Sequence, residues 1–202
     1  MLYMHQKTRD TYNRSADSLS NHYDEIGPRE GDINLAFTLA DNPDEAKVLE
    51  IGCGNGRDAR AILRRTSNYT GIDISEAMIT LARQKVPDGR FEVADATSFK
   101  YQGPYDIVFA FAAFRHMSPD ELTTVLKHIH ASLTDGGVLY VSSNHADVYR
   151  TESRNDKYGV REIHYYSPKF LQSRAPRGLK KVQEIYDTVD GQEWFEVAFQ
   201  RI

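Results

Sequence analysis

Val48-Leu49-Glu50-Ile51-Gly52-Cys53-Gly54-Asn55-Gly56 is the stretch on which the fold turns. The apolar run from Lys47 to Ile51 reads as a short buried strand, and it passes directly into three alternating glycines. Glycine has no Cβ, so Gly52, Gly54 and Gly56 let the backbone bend tightly and approach a ligand. A helix expected from Asp58 to Arg65 then presents unpaired N–H groups and the positive end of its dipole. Glu50-x-Gly52-x-Gly54-x-Gly56 is therefore a loop able to cradle a phosphate or a carboxylate.

Downstream, strands and helices alternate. Tyr69–Ile72 reads as the second strand, and Ser75 as the N-cap of a helix ending near Val86. Arg90–Val93 and Asp106–Phe111 read as strands three and four. Ser118-Pro119-Asp120-Glu121 is a helix start with a cap, a proline at the first position and a capping-box acid. Asp135-Gly136-Gly137 ends that helix before a fifth strand, Val138–Ser142. Such alternation predicts a parallel sheet covered on both faces. Upstream, Tyr12, Ala16, Leu19, Tyr23 and Ile26 share one face of a helix spanning 9–26, and a second helix is expected over 32–40. The tail predicts a short helix over 167–172 and a C-terminal antiparallel hairpin, 181–187 with 193–201. Residues 144–166 are polar and read as a loop or insertion over the site.

Two acids follow strand ends. Asp73 lies about 20 residues past the glycine loop, where a doubly wound sheet places a ribose-binding carboxylate. Asp95 follows the third strand in the same way. Together they predict a nucleoside-bearing ligand lying across the carboxyl edge of the sheet. A dinucleotide fingerprint requires glycine at position 57, which here is Arg57.

The quoted stretch closely resembles the first motif of class I S-adenosylmethionine-dependent methyltransferases. Gly71-Ile72-Asp73-Ile74-Ser75 resembles their second motif, Ala94-Asp95-Ala96 the third, Tyr105-Asp106-Ile107-Val108-Phe109-Ala110 the fourth, and Leu133-Thr134-Asp135-Gly136-Gly137 the loop before strand five. The resemblance covers about residues 45–143. It implies S-adenosylmethionine as cofactor, with Gly52 and Gly54 passing the methionine part, Asp73 holding the ribose, Asp95 and Ala96 recognising adenine, and the Ala110 carbonyl facing the amino group. Tyr12 resembles the aromatic that many members place on an N-terminal helix over the cofactor. Glu50, Cys53, Gly56, Ile74 and Met78 complete the expected cofactor-binding set. Many relatives carry His-His where this chain has Arg115-His116, on the acceptor side of the pocket.

The remaining signals bound the function. The 202 residues suffice for one domain, and 29 acidic against 25 basic side chains give a net charge of −4. No clustered basic track points to nucleic acid. The longest apolar run, 107–114, is far too short to span a membrane. The single cysteine and an N-terminus without a long apolar run predict a cytoplasmic protein. Cys53 reads as a small filler in the loop. His128 and His130 point about 200° apart on a helix, so no metal site is expected.

His116 is the candidate general base, because a free imidazole titrates near neutral pH. His145 comes second, and Tyr165 and Tyr166 are candidates for lining the acceptor pocket. The expected organisation is one globular unit, with a helical cover over 1–44 and a Rossmann-like α/β domain over 45–202. Its sheet would have seven mostly parallel strands closed by the hairpin. The expected function is methyl transfer to a small-molecule O, N or C acceptor. The competing readings are a protein or RNA methyltransferase and a non-catalytic cofactor-binding module.

Overall fold

The computed structural model describes residues 2–202, with side chains from residue 6 onward. Its main sheet has seven strands: β1 (Val48–Ile51), β2 (Tyr69–Asp73), β3 (Arg90–Val93), β4 (Tyr105–Phe111), β5 (Leu133–Asn144), β8 (Leu179–Val189) and β9 (Gln192–Arg201). The strand order is β3-β2-β1-β4-β5-β9-β8. β1 pairs in parallel with both β2 and β4, and β9 is antiparallel to β5 and β8. The chain runs outward one way from β1 and the other way from β4. Their carboxyl ends therefore part and leave the crevice in which such sheets bind ligands.

Alternation builds the core. Val48, Ile107 and Phe109 turn to one face with Phe37 and Ile62, while Leu49, Val108 and Ala110 turn to the other with Val125, Leu126 and Ile129. Neighbouring strand residues point to opposite faces, and both faces are covered, so all four residues of β1 are buried. Burying each of the larger side chains contributes roughly 1.5–3 kcal/mol.

One face carries α3 (Glu30–Leu39), α4 (Ala59–Leu63) and α5 (Glu76–Lys85), and the other carries α6 (Pro119–Ser132) and α7 (Pro168–Arg174). Ser75 accepts from the Met78 N–H at the start of α5, and Ser118 and Glu121 form the expected capping box of α6.

The predicted N-terminal helix is two helices, α1 (Leu2–Arg14) and α2 (Ala16–Ile26), broken at Ser15. Ser15 departs from helical geometry, at φ −107° and ψ 17°, and its Oγ donates to the Tyr158 carbonyl at 2.6 Å. Residues read as a loop or insertion form a hairpin of β6 (Arg150–Asp156) and β7 (Gly159–Tyr165), separate from the main sheet. This hairpin packs on α1. Thr11 Oγ donates to the Val160 carbonyl at 2.7 Å, and the Glu162 N–H donates to Thr8 Oγ at 3.1 Å. Among the described residues, no helix is long and apolar enough to cross a membrane.

Candidate active site

The crevice opens into a cavity of about 700 Å³, roofed by α1, α2 and the β6–β7 hairpin. Its floor is the glycine bend. Gly52 and Gly54 have φ of 73° and 53°, values that side chains rarely adopt. A Cβ on Gly52 would lie 2.7 Å from the Ala113 Cβ, so the bend requires glycine there. A Cβ on Gly54 meets nothing within 4 Å and would project into open space at the cavity floor. The bend is held by the Gly52 and Cys53 N–H groups, which donate to the Ile72 carbonyl at 2.7 and 3.0 Å.

Asp73 ends β2 beside it. Its carboxylate accepts from the Gly54 N–H at 3.0 Å and the Ser75 N–H at 2.8 Å. Each oxygen keeps a lone pair, and the residue lines the cavity. Burial raises its pKa, and the backbone donors oppose that shift. Asp95 uses Oδ1 to accept from the Thr97 N–H and hydroxyl at 2.8 and 2.7 Å, and it also lines the cavity. Tyr12, Glu50, Cys53, Ile74, Met78, Ala96 and His116 reach the same space.

Two expected residues do not. Gly56, at φ 78°, faces Ala82 and Phe91, each 3.4 Å from an added Cβ, because the bend has by then turned toward α5. Ala110 lies wholly inside the sheet. β4 stays paired with β5 through Phe111–Ser142, so the strand end at the cavity is Phe111 to Ala113.

Glu50 lies under the bend and accepts from the Tyr69 hydroxyl at 2.6 Å. Burial, followed by the nearby charge of Asp58, pushes its carboxyl up to about 8. Cys53 is buried, and burial followed by the charge of Glu50 raises its thiol well above the usual range. Its side chain packs where a Cβ on Gly71 would be, as expected of a filler.

His116 differs from the free imidazole expected. Nδ1 lies 3.0 Å from the Glu162 carbonyl, so it carries the proton, and Nε2 accepts from the Tyr12 hydroxyl at 2.9 Å. Burial, then the charge of Arg115, lowers its pKa to about 3. His145 sits outside the cavity, within reach of Asp147 and Glu193. Tyr165 and Tyr166 are fully buried away from it, in an environment set by Glu152 and the Met117 carbonyl.

Other contributors went unread in the sequence. Asn55 Nδ2 lies 2.8 Å from Ser20 Oγ and 3.0 Å from Asp24 Oδ1, tying the loop to α2. Asp58 accepts from the Arg29 N–H at 2.7 Å and from Arg57 Nη2 at 2.5 Å. Asparagine in a glycine loop is the usual turn residue, so nothing local marked Asn55 as a tie. Arg154, Arg161, Asn144, Trp194 and Glu196 enter the cavity from segments distant in sequence.

The sheet order, the strand-end acids and the glycine-floored cavity define the Rossmann-like class I methyltransferase architecture. Residues 48–137 match the family model described as a methyltransferase domain. The trans-aconitate 2-methyltransferase of Variovorax paradoxus is 34% identical over 103 residues, covering 49% of this chain and 39% of that protein. The malonyl-[acyl-carrier protein] O-methyltransferase 2 of Ilyobacter polytropus is 28% identical over 177 residues, covering 84% of this chain and 66% of that one. The chain thus spans about two fifths of the trans-aconitate relatives it matches. Among solved structures, the 1,6-didemethyltoxoflavin-N1-methyltransferase of Burkholderia thailandensis superposes with a TM-score of 0.72 at 18% identity, over 96% of this chain and 86% of that one. Over residues 48–137 the chain is similar to methyltransferase domains, and its fold is that of the S-adenosylmethionine-dependent methyltransferases.

Proposed function

We propose that the protein transfers a methyl group from S-adenosylmethionine to a small molecule. One observation carries the reading: glycine bend, strand-end acids and a roofed space for a second molecule share one cavity of about 700 Å³. The residues fit the cofactor. A Cβ at Gly54 would fill the floor where the amino-acid end would lie, and Asp73 and Asp95 retain acceptor capacity toward β2 and β3 for sugar and base. Met78 and Ile74 offer apolar wall beside them.

The cofactor supplies an electrophilic methyl on a sulfonium; the chain binds, orients and excludes water. Holding an acceptor in line with the bond to be broken can supply several kcal/mol of barrier lowering. Tyr12, fixed by His116, closes the wall between α1 and the strand-four end. In this reading His116 sets the Tyr12 hydroxyl and, with its lone pair taken and its pKa near 3, positions that residue instead of acting as the general base. A small acceptor is favoured by the roof: α1, α2 and the hairpin cover a cavity of about 700 Å³, which limits the size of a second occupant. The curated relatives are named for trans-aconitate and malonyl-[acyl-carrier protein] as acceptors.

Calorimetric titration with S-adenosylhomocysteine tests the cofactor reading, and methyl-labelled cofactor incubated with fractionated extract tests the acceptor class. Binding together with a labelled low-molecular-mass product is expected. Label confined to protein or RNA would overturn the small-molecule reading, and binding without any transfer would leave a cofactor-holding module.

A further inference from the structure

We propose that the part of the cavity beyond β4 takes the carboxylate of an acidic acceptor, with Arg115 as its anchor and Arg154 and Arg161 supplying the surrounding field. The proposal rests on the methyltransferase reading above, because it assigns the second occupant of the same chamber.

Six arginines line the cavity: Arg9, Arg29, Arg57, Arg115, Arg154 and Arg161. Five have a carboxylate within 4 Å: Asp10 for Arg9, Asp58 for Arg29 and Arg57, Glu152 for Arg154 and Asp156 for Arg161. Among the described residues Arg115 has none. Its Nε is shut from solvent without a hydrogen-bond partner. The guanidinium lies 5.2 Å over the Trp194 ring, which fixes it without neutralising it. The groups that act on it most are Tyr12, Tyr23, Arg154 and Arg161, with His116 beside it; the cavity also holds the carboxylates of Asp156, on the hairpin, and Glu196, on β9 opposite Ser142. Burial, reinforced by those two arginines, lowers its pKa. The residue is half-buried in the cavity wall, and a cation held there without a counter-charge is completed by an anion in the cavity.

Three further groups in the same region lack partners. Both polar atoms of the Asn144 side chain and Ser142 Oγ are buried without hydrogen bonds, as is Arg161 Nε, and all three residues line the cavity. Their place in the sheet separates them from the cofactor. Asp95, Asp73 and the glycine bend follow β3, β2 and β1, whereas Ser142, Asn144 and Trp194 belong to β5 and β9 on the far side of β4. A guanidinium fork, an amide and a hydroxyl together match a carboxylate better than a neutral ligand.

The test uses protein saturated with S-adenosylhomocysteine, whose own binding is measured first and checks the methyltransferase reading separately. Tricarballylate, succinate and benzoate are then titrated beside their neutral amides, in wild type and Arg115→Met. At least one acid should bind where its amide does not, and Arg115→Met should weaken it by about tenfold or more. S-adenosylhomocysteine affinity should stay within about threefold of wild type, well under the loss expected for a charged hydrogen bond. The free variant should unfold no lower than wild type, since an unpaired, half-buried charge is gone, whereas a merely structural arginine would leave it lower. Three results overturn the proposal: no acid outbinding its amide, acid binding untouched by the substitution, or an equal loss of S-adenosylhomocysteine. The last would mean that Arg115 holds the cofactor's own carboxylate. If Arg115→Met does not fold, Arg154→Gln decides, with at least about threefold weaker acid binding expected and unchanged binding overturning the proposal.

Discussion

Glu50 lies within the sheet end, fully buried, with the Tyr69 hydroxyl as donor and the charge of Asp58 nearby. Its carboxyl is raised from 4.5 to about 8, chiefly by burial. The folded state therefore holds this proton more tightly than the unfolded chain does. The stability it contributes is fully present below pH 4.5 and is lost as pH rises toward 8. Glu50→Gln keeps the shape and removes the ionisation. Denaturant unfolding should show the variant gaining about 1–3 kcal/mol on wild type between pH 5 and pH 8. Parallel pH profiles for the two proteins would mean that Glu50 does not titrate there. Tyr12→Phe tests the neighbouring pair. It leaves the buried His116 Nε2 without its donor and should cost about 1–3 kcal/mol of stability by the same measurement. With His116 held near a pKa of 3, the loss should be the same at pH 5 and pH 8. The sequence marked both residues through motif and helix face, but not their contacts. Tyr12 meets His116 across 104 positions, a separation that no local pattern encodes.

At the scale of elements, the sequence was clearest where the chemistry is local. Ser75 and Ser118 each cap the helix read after them, because a cap needs only a hydroxyl and an N–H three residues on, and Ser167, read as the first residue of a helix, is the cap of one that begins at Pro168. The core strands announced themselves by apolar runs. β6 did not: Arg-Thr-Glu-Ser-Arg-Asn-Asp has no apolar face, six of its seven residues are exposed, and it is held by its ladder to β7. Ser15, too, where the N-terminal helix breaks, bonds a carbonyl 143 residues away. The same contrast predicts different responses to mutation. Ser118→Ala removes one side of the α6 capping box and should destabilise the protein by about 1 kcal/mol, read from the urea midpoint. An unshifted midpoint would show that proline at the first position and Glu121 suffice.

Across the whole molecule, the floor and roof of the cavity are held in different ways. The floor is the carboxyl edge of a sheet whose central strands β1 and β4 are covered on both faces. The roof is held to the body by a few side-chain bonds, Ser75 Oγ to Asn13 at 2.7 Å, Asn55 Nδ2 to Ser20 Oγ at 2.8 Å and Tyr12 to His116 at 2.9 Å, and by the small apolar cluster of Ala16, Leu19 and Met78. Each such bond contributes only about 0.5–1.5 kcal/mol net, so the roof can part while the sheet stays intact. An occupant touching floor and roof together must stabilise the covered form. Hydrogen exchange should therefore respond unevenly to saturating S-adenosylhomocysteine. Amides of α1, α2 and β6–β7 should slow by about tenfold or more, the factor that 1.4 kcal/mol of added closure gives, while those of β4 and β5 should change little in the local-opening regime. Uniform slowing across roof and sheet would instead mean that both open in one global step and that the chamber has no separable lid. Slowing confined to the glycine loop would mean that the ligand rests on the floor without engaging α1 or the hairpin.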